Sequence, residues 1–208
     1  MTDELIFYTN PMSRGQIIRW VLEEAQIDYK QELVEYGAQM KSDDYLAINP
    51  MGKVPAIKHG DNVVTECAAI CAYVADAFSE VKLAPDVDDR ADYYRWLFFT
   101  AGPVESAVLN QGFGFKTDEQ QQRTAGYGTY ELTLNVLDQF LGSREYICGE
   151  EFSAADVYVG SQVDWGLMFK TIPETSNFNA YAERLRQRPA YQKAKQIDSD
   201  LIQQAQSS

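Results

Sequence analysis

The first 35 residues alternate between short apolar runs and apolar residues at helical spacing. Leu5–Tyr8 is an apolar run followed by Thr-Asn-Pro, which predicts a buried strand that ends in a turn. From Ser13 to Ala25 the apolar residues recur on one helical face, and Ser13 with Gln16 three residues later is typical of a capping box. A weaker apolar–polar alternation over residues 28–34 predicts a second strand. The order is strand, helix, strand.

The next segment continues with a hairpin and a helix. After a polar helical turn at 42–48, two short apolar runs at 54–58 and 63–64 flank a His-Gly-Asp-Asn turn and predict a β-hairpin. A helix with period 3.6 then begins at Thr65 or Glu66. The first eighty residues therefore predict an α/β module that is small enough to fold as one domain.

Beyond residue 83 the pattern contains only helices. We place a linker at residues 83–86, where a proline lies among charged residues, and predict domains 1–83 and 84–208. Helical periodicity or helix-favouring composition extends over 93–109, 119–141, 154–169, 178–187 and 190–203. The predicted fold class is an α/β N-terminal domain followed by an all-α domain.

The charge balance argues against polyanionic partners. The 208 residues include 18 Lys and Arg against 31 Asp and Glu, a formal net charge of −13 at pH 7. A phosphate backbone or an anionic bilayer would be repelled, so neither a nucleic acid nor a membrane is expected as partner.

Histidine and cysteine usage excludes several kinds of catalytic site. His59 is the only histidine, which argues against a metal centre and against Ser-His-Asp or Cys-His catalysis. Cys67, Cys71 and Cys148 form no C-x-x-C motif and no even set, so neither a disulfide framework nor a zinc ribbon is expected. The N-terminal segment contains no export signal and the chain contains no apolar run of about 20 residues. A cytoplasmic protein is the expectation.

Four segments together resemble a known family. They are residues 7–14 (FYTNPMSR), 49–55 (NPMGKVP), 65–70 (TECAAI) and 152–156 (FSAAD). In this order and spacing they are similar to the cytosolic glutathione S-transferases of bacterial type, and the resemblance spans nearly the whole chain. It implies a thioredoxin-like domain at 1–83 that binds glutathione, an all-helical domain at 84–208 with an electrophile site, glutathione as co-substrate without another cofactor or metal, and a homodimer.

The resemblance assigns the glutathione contacts to three places. It implies that Pro55 is cis and that the backbone of Val54 exchanges hydrogen bonds with the cysteinyl part of glutathione. It implies that Glu66 and Cys67, at the start of a helix, bind the γ-glutamyl end, with a cysteine where a serine is common. Lys53 could meet the glycyl carboxylate as a point charge.

Two residues compete for the activation of the glutathione thiol. A cysteinyl thiol with a pKa of about 8.5 must be held as thiolate to attack, and a hydroxyl donor or a helix N-terminus favours that form. Ser13 offers both and matches the serine or cysteine of several classes of the family; a capping serine without a catalytic role remains the alternative. Tyr8, at the end of the first strand, is the rival, as in the tyrosine-using classes. We favour Ser13.

The helical half contributes a folding signal and a predicted electrophile pocket. Ser153 and Asp156 have the spacing of a capping box, which is interpreted as a folding element and not as a catalytic pair. Aromatic and soft side chains could line an apolar pocket, for which Met12, Phe113 and Trp165 are the candidates.

The function that follows is conjugation of glutathione to hydrophobic electrophiles, which is a detoxification reaction. Two alternatives remain open at this stage. The same fold serves binding or regulatory proteins without catalysis, because fold does not fix function. A glutathione-dependent isomerase or dehalogenase is the other; a thiol reductase is less favoured, since it would usually have a cysteine at position 13.

Overall fold

The computed structural model describes residues 4–207, which form two compact units. The first unit contains the residues up to Leu83 together with those from Gln187 onward. The second unit is Ala84–Arg186. Each unit is described below by itself.

A four-stranded sheet is the centre of the first unit. Its strand order is β2-β1-β3-β4, and β1 pairs with β2 in parallel and with β3 antiparallel. The β3–β4 pair is the predicted hairpin. The strands are β1 (Leu5–Thr9), β2 (Lys30–Leu33), β3 (Ala56–His59) and β4 (Asn62–Thr65).

Ten α-helices accompany the sheet among the described residues. In chain order they are α1 (Gly15–Ala25), α2 (Asp43–Leu46), α3 (Cys67–Ala77), α4 (Ala91–Phe99), α5 (Glu105–Gly112), α6 (Glu119–Thr124), α7 (Tyr130–Leu141), α8 (Ala154–Met168), α9 (Ser176–Arg186) and α10 (Pro189–Gln206). Helices α1, α2, α3 and α10 belong to the first unit, and α4–α9 form the second.

The core of the first unit follows from the periodicity of its sequence. Phe7 on β1 and Ile57 on β3 have no exposed surface, and α1 and α3 contribute Ile18, Leu22 and Ile70, which are equally buried. Burial of each side chain of this size stabilises the folded state by about 1.5–3 kcal/mol relative to leaving that side chain exposed. The predicted thioredoxin-like α/β unit with an all-helical second part is confirmed.

Two helical predictions differ from the structure in detail. The helix predicted over 119–141 is divided into α6 and α7, because Gly126 and Gly128 interrupt it and Gly128 has a φ of 65°. The helix predicted over 93–109 continues from α4 into α5 through a π-helical turn at Thr100–Val104, which contains Pro103.

Helix α10 groups with the sheet unit and not with the other helices. The sequence assigned all residues from 84 to 208 to the helical domain, whereas the structure packs α10 along α1. The buried ion pair between Arg19 and Asp198, with 2.8 Å between Nε and Oδ1, joins these two helices. The two residues are 179 positions apart, so no local pattern could show the contact.

The folding element predicted at the start of α8 is present. The Asp156 carboxylate accepts hydrogen bonds from the Ser153 N–H and hydroxyl, both at 2.9 Å, and from the Ile147 N–H at 2.8 Å. Tyr181 donates a fourth, also at 2.8 Å. The interpretation of this pair as structural is supported, because all four donors belong to the interior of the helical unit.

Within residues 4–207, none of the helices has the length and apolar character that would be needed to cross a bilayer.

Candidate active site

The loop between β1 and α1 is organised by one buried asparagine. The Asn10 side chain donates to the Val34 carbonyl at 3.1 Å and accepts from the Met12 N–H at 3.0 Å. Its backbone carbonyl accepts both from the Ser13 N–H at 3.1 Å and from the Ser13 hydroxyl at 2.6 Å. These hydrogen bonds therefore fix the loop at Ser13, the residue that the sequence predicts to activate the thiol.

Ser13 lies half-buried just before α1. Its Oγ accepts a hydrogen bond from the Gly15 N–H at 2.9 Å. A β-carbon at position 15 would come within 2.0 Å of Thr9 Oγ1, so glycine is required where the helix begins this close to β1. The predicted capping box is not formed, because the Gln16 side chain makes no hydrogen bond to the backbone of Ser13. Its amide donates instead to the Pro11 carbonyl at 2.7 Å.

Tyr8 lies on β1, just before this loop, and is also half-buried. Its ring packs against Tyr45, with centroids 5.9 Å apart, and against the apolar cluster that includes Val34. Burial, followed by the nearby Glu32 carboxylate, raises the pKa of the Tyr8 hydroxyl above its usual value of 10.0. A phenol in this environment is a weaker acid than usual.

The segment before β3 presents a backbone edge. The Val54–Pro55 peptide bond is cis, as expected from the sequence. The Lys53 carbonyl accepts from Tyr45 Oη and Asn49 Nδ2, both at 2.7 Å, which fixes the segment from the side of α2. Within residues 4–207, neither the N–H nor the C=O of Val54 has a hydrogen-bond partner. A half-buried backbone pair of this kind can accept an extended peptide as an additional strand.

Lys41 is a second cation beside this segment, and the sequence analysis missed it. Its Nζ donates to the carbonyls of Met51 at 3.0 Å and Gly52 at 2.8 Å, next to Lys53 in the chain. The tight turn at Gly52, with a φ of 55°, produces this proximity. Lys41 stands before α2 without any motif around it, so only the tertiary turn shows its position.

The start of α3 lies beside the start of α1. Glu66 precedes the helix with a φ of 67°, an uncommon conformation for a residue with a side chain, and its side chain is exposed. The Cys67 thiol lies 3.8 Å from the Arg14 carbonyl oxygen. The structure thus brings Ser13, through its neighbour Arg14, to the predicted γ-glutamyl-binding residues, and backbone strain of this kind clusters at ligand sites.

The three residues predicted for the electrophile pocket have different environments. Met12 is 64% exposed and directly precedes Ser13. Phe113 is 68% exposed at the end of α5, with its ring centroid 6.0 Å from that of Phe115. Trp165 is half-buried in α8. Their common role in one pocket stays a prediction.

The arrangement in the first unit suits a short peptide with charged ends. The unpaired backbone of Val54 can hold the middle of the peptide, and Lys41 and Lys53 supply positive charge on one side of it. The N-terminus of α3 with Glu66 can receive a carboxylate and an ammonium group. Ser13 supplies a hydroxyl at the start of another helix.

Comparison with known proteins agrees with this reading. Residues 3–76 match the family model described as glutathione S-transferase, N-terminal domain. The chain is 30% identical over 159 residues to glutathione S-transferase GstA of Escherichia coli, covering 73% of this chain and 77% of that protein. A solved glutathione transferase from Methylococcus capsulatus is 27% identical, with a TM-score of 0.74 and coverage of 94% and 98% of the two chains. A sphingomonad glutathione S-transferase, solved in complex with glutathione, is 26% identical, with a TM-score of 0.74 and coverage of 93% and 98%.

Proposed function

The chain belongs to the glutathione S-transferase family, and we propose that it binds glutathione along the open edge of its first unit and activates the thiol through Ser13. The thiol proton leaves to solvent, and the sulfur lone pair then forms a bond to an electrophilic carbon of an apolar substrate. In a substitution the leaving group departs with its bonding electrons. No side chain needs to relay a proton in this scheme, which agrees with a sequence that contains one histidine.

The single observation that carries the proposal is the unpaired backbone of Val54 beside cis-Pro55. A half-buried N–H and C=O without partners are costly unless a ligand or water satisfies them, and the extended backbone of a tripeptide supplies the complementary pair. The cysteinyl residue of glutathione is the part assigned to this edge. Its side chain then points toward the loop that carries Ser13.

Ser13 is favoured over Tyr8 by its surroundings. The Ser13 hydroxyl already accepts a hydrogen bond from the Gly15 N–H, which polarises it as a donor. Its own proton points to the Asn10 carbonyl and would turn to the thiolate by rotation about one side-chain bond. The Tyr8 phenol, in contrast, has a raised pKa and packs against Tyr45.

The ends of glutathione are assigned to the charged groups around Val54 and the start of α3. Glu66 takes the γ-glutamyl ammonium, and the first N–H groups of α3, beginning with Cys67, take its carboxylate. Lys53 and Lys41 lie near the opposite end and suit the glycyl carboxylate. A thiol is a weak donor, so the Cys67 backbone is assigned the larger part of that contact.

Two further assignments belong to the same proposal, and one alternative stands against it. The electrophile is an apolar molecule, with Met12, Phe113 and Trp165 as the candidate pocket residues. The chain is expected to act as a homodimer, as the family resemblance implies. A role as a binding or regulatory protein without catalysis, or as a glutathione-dependent isomerase or dehalogenase, is the alternative that the first experiment separates.

The experiment is conjugation of glutathione to a chlorodinitrobenzene electrophile across pH, with wild type, Ser13→Ala and Tyr8→Phe, and with glutathione affinity measured by calorimetry. Loss of one preorganised donor to a developing anion is expected to lower kcat of Ser13→Ala by about 10²-fold. The pKa of the bound thiol should rise toward about 8.5, so the loss should shrink at higher pH. Affinity for glutathione should persist.

Tyr8→Phe is the matched control, since it removes a hydroxyl next to the same loop. We expect it to keep most of the wild-type rate. A loss confined to Tyr8→Phe would exchange the two roles, and a wild type that binds glutathione without conjugation would favour the carrier alternative. Absence of any glutathione binding would refute the proposal.

A further inference from the structure

Helix α10 runs antiparallel to α1 and contacts it along its length. Arg188 pairs with Glu24, with 2.6 Å between Nε and Oε1. One turn further, the rings of Tyr191 and Trp20 meet edge to face with centroids 5.0 Å apart. From Arg188 to Tyr191 the partner on α1 moves one turn toward its N-terminus, from Glu24 to Trp20, whereas the long Arg19 side chain reaches further along α10 to Asp198. The next turn of α10 therefore reaches the beginning of α1, where the loop that carries Ser13 ends.

At that point one glutamine joins the C-terminal helix to the loop. Lys195 Nζ donates to Gln16 Oε1 at 2.9 Å, and Gln16 Nε2 donates to the Pro11 carbonyl at 2.7 Å. Pro11 lies two residues before Ser13. The oxygen of the Gln16 amide therefore binds α10, and its nitrogen binds the loop.

Lys195 is itself held in place. Its ammonium lies 5.4 Å from the centroid of the Tyr191 ring, and the Asp198 carboxylate interacts with its charge. The side chain is half-buried. A cation that donates to the oxygen of an amide increases the polarity of that amide, so the N–H of Gln16 becomes a stronger donor to Pro11.

We infer that Gln16 and Lys195 are positioning residues for thiol activation, and that the C-terminal helix therefore sets the geometry of the loop that carries Ser13. The inference rests on the proposed function of Ser13. Without this connection the Pro11 carbonyl loses its partner, and the tethers that remain on this part of the loop are Asn10 and the Tyr36 hydroxyl, which donates to the Met12 carbonyl at 3.2 Å. A displacement of the hydroxyl by a fraction of an ångström would weaken its hydrogen bond to the thiolate while the contacts along Val54 remain.

The test is a double-mutant cycle with Lys195→Met, Gln16→Ala and the double variant, assayed by glutathione conjugation to a chlorodinitrobenzene electrophile. Because catalysis depends steeply on alignment, each single change is expected to lower kcat by about three- to tenfold. The pH midpoint of thiolate formation on the enzyme should rise and KM for glutathione should stay within about twofold. Since both residues act through one connection, the double variant should lose no more than the larger single loss.

Lys193→Met is the matched control. Lys193 lies two residues earlier on the same helix, pairs with Glu23 at 2.6 Å and is mostly exposed, so its loss should change kcat by less than about twofold. Lys195→Arg keeps a cationic donor for Gln16 and should restore at least half of the wild-type kcat. Urea unfolding of every variant shows whether a loss of rate arises from a loss of folded protein.

Three results would overturn the inference: a kcat and pH midpoint of Lys195→Met equal to those of Lys193→Met, losses that multiply in the double variant, or no restoration by Lys195→Arg. Ser13→Ala in the same assay distinguishes a failure of this inference from a failure of the proposed function. If Ser13→Ala lowers kcat while Lys195→Met does not, the inference fails alone. If Ser13→Ala has no effect, the proposed function fails and the inference fails with it.

Discussion

The starts of α8 and α3 each carry an acidic residue, and the two are built in opposite ways. At the start of α8, the Asp156 carboxylate is completely buried and accepts four hydrogen bonds. At the start of α3, Glu66 is exposed with a φ of 67°, and its side chain makes no capping hydrogen bond to the first turn. The acidic residue of the first, closed start is satisfied by the protein itself, whereas that of the second, open start is exposed and is the one we propose to contact glutathione.

This contrast separates a folding element from a proposed binding site. A buried carboxylate that satisfies four donors stabilises the fold and has no free acceptor for a substrate. A helix start with an exposed acidic residue and an uncommon backbone conformation contributes little to stability, so its cost is better explained by a ligand.

The largest effect is expected when the closed start is removed. Asp156→Ala leaves the N–H groups of Ile147 and Ser153 and the hydroxyl of Tyr181 buried without an acceptor. We expect the free energy of unfolding to fall by about 4 kcal/mol, because several buried donors lose their partner at once. Urea unfolding followed by circular dichroism measures the change.

The same variant should leave the open start intact. Glutathione affinity per folded molecule, measured by calorimetry under conditions where the variant is folded, should equal that of wild type. A stability loss below about 1 kcal/mol would contradict the structural role of Asp156. Loss of affinity in the folded variant would show that the two helix starts are not separable in this way.

A somewhat smaller effect is expected from pH. Burial raises the pKa of Asp156 from 3.8 to about 6, although its hydrogen bonds oppose the shift. The folded protein then binds this proton more tightly than the unfolded chain, so the stabilising contribution is complete below 3.8 and is lost as pH rises through about 6. This loss amounts to about 3 kcal/mol.

Asp156→Asn provides the comparison for that measurement, because it cannot titrate. The difference in free energy of unfolding between wild type and Asp156→Asn, measured from pH 4 to pH 7.5, should change by about 2.4 kcal/mol in favour of the variant as pH rises, which is most of the full loss. Other titrating groups cancel in the difference. A difference that stays constant across this range would show that Asp156 has an ordinary pKa in the folded state.

Much of the fold could be predicted because the hydrophobic pattern within each segment indicates that segment's own helix or strand. The run Leu5–Tyr8 and the helical period from Ser13 to Ala25 each predict their own element, and both elements are present. The break between α6 and α7 was missed because its glycines lie inside a longer polar helical pattern. The grouping of α10 with the sheet depends on the pair Arg19–Asp198, whose separation in the chain exceeds the reach of any periodicity.

The candidate site, like the fold, could be predicted where local motifs carry it and not where it depends on tertiary contacts. Val54, Pro55 and Glu66 lie in short motifs whose residue types are restricted by backbone geometry. The resemblance of these motifs to the family could therefore be recognised from the sequence. Lys41 and Lys195 make their contacts through a tertiary turn and a helix–helix packing, and their neighbours in the sequence contain no signal for either contact. Motifs therefore pointed to the backbone that we propose to contact the ligand, while the residues that surround it required the structure.

The smallest expected effect concerns the open start, where Glu66→Gln removes one charge and keeps the shape of the side chain. Since Glu66 is exposed, the free energy of unfolding should change by less than about 0.5 kcal/mol. Glutathione affinity should fall about tenfold, equivalent to about 1.4 kcal/mol, because a charge-assisted hydrogen bond to the γ-glutamyl ammonium becomes a neutral one. Asp61→Asn, which removes one exposed negative charge from the hairpin turn of the same unit, should leave affinity unchanged. If both variants weaken binding equally, the effect is one of overall charge and Glu66 has no specific contact; if Glu66→Gln destabilises the fold as Asp156→Ala does, the two helix starts serve the same purpose.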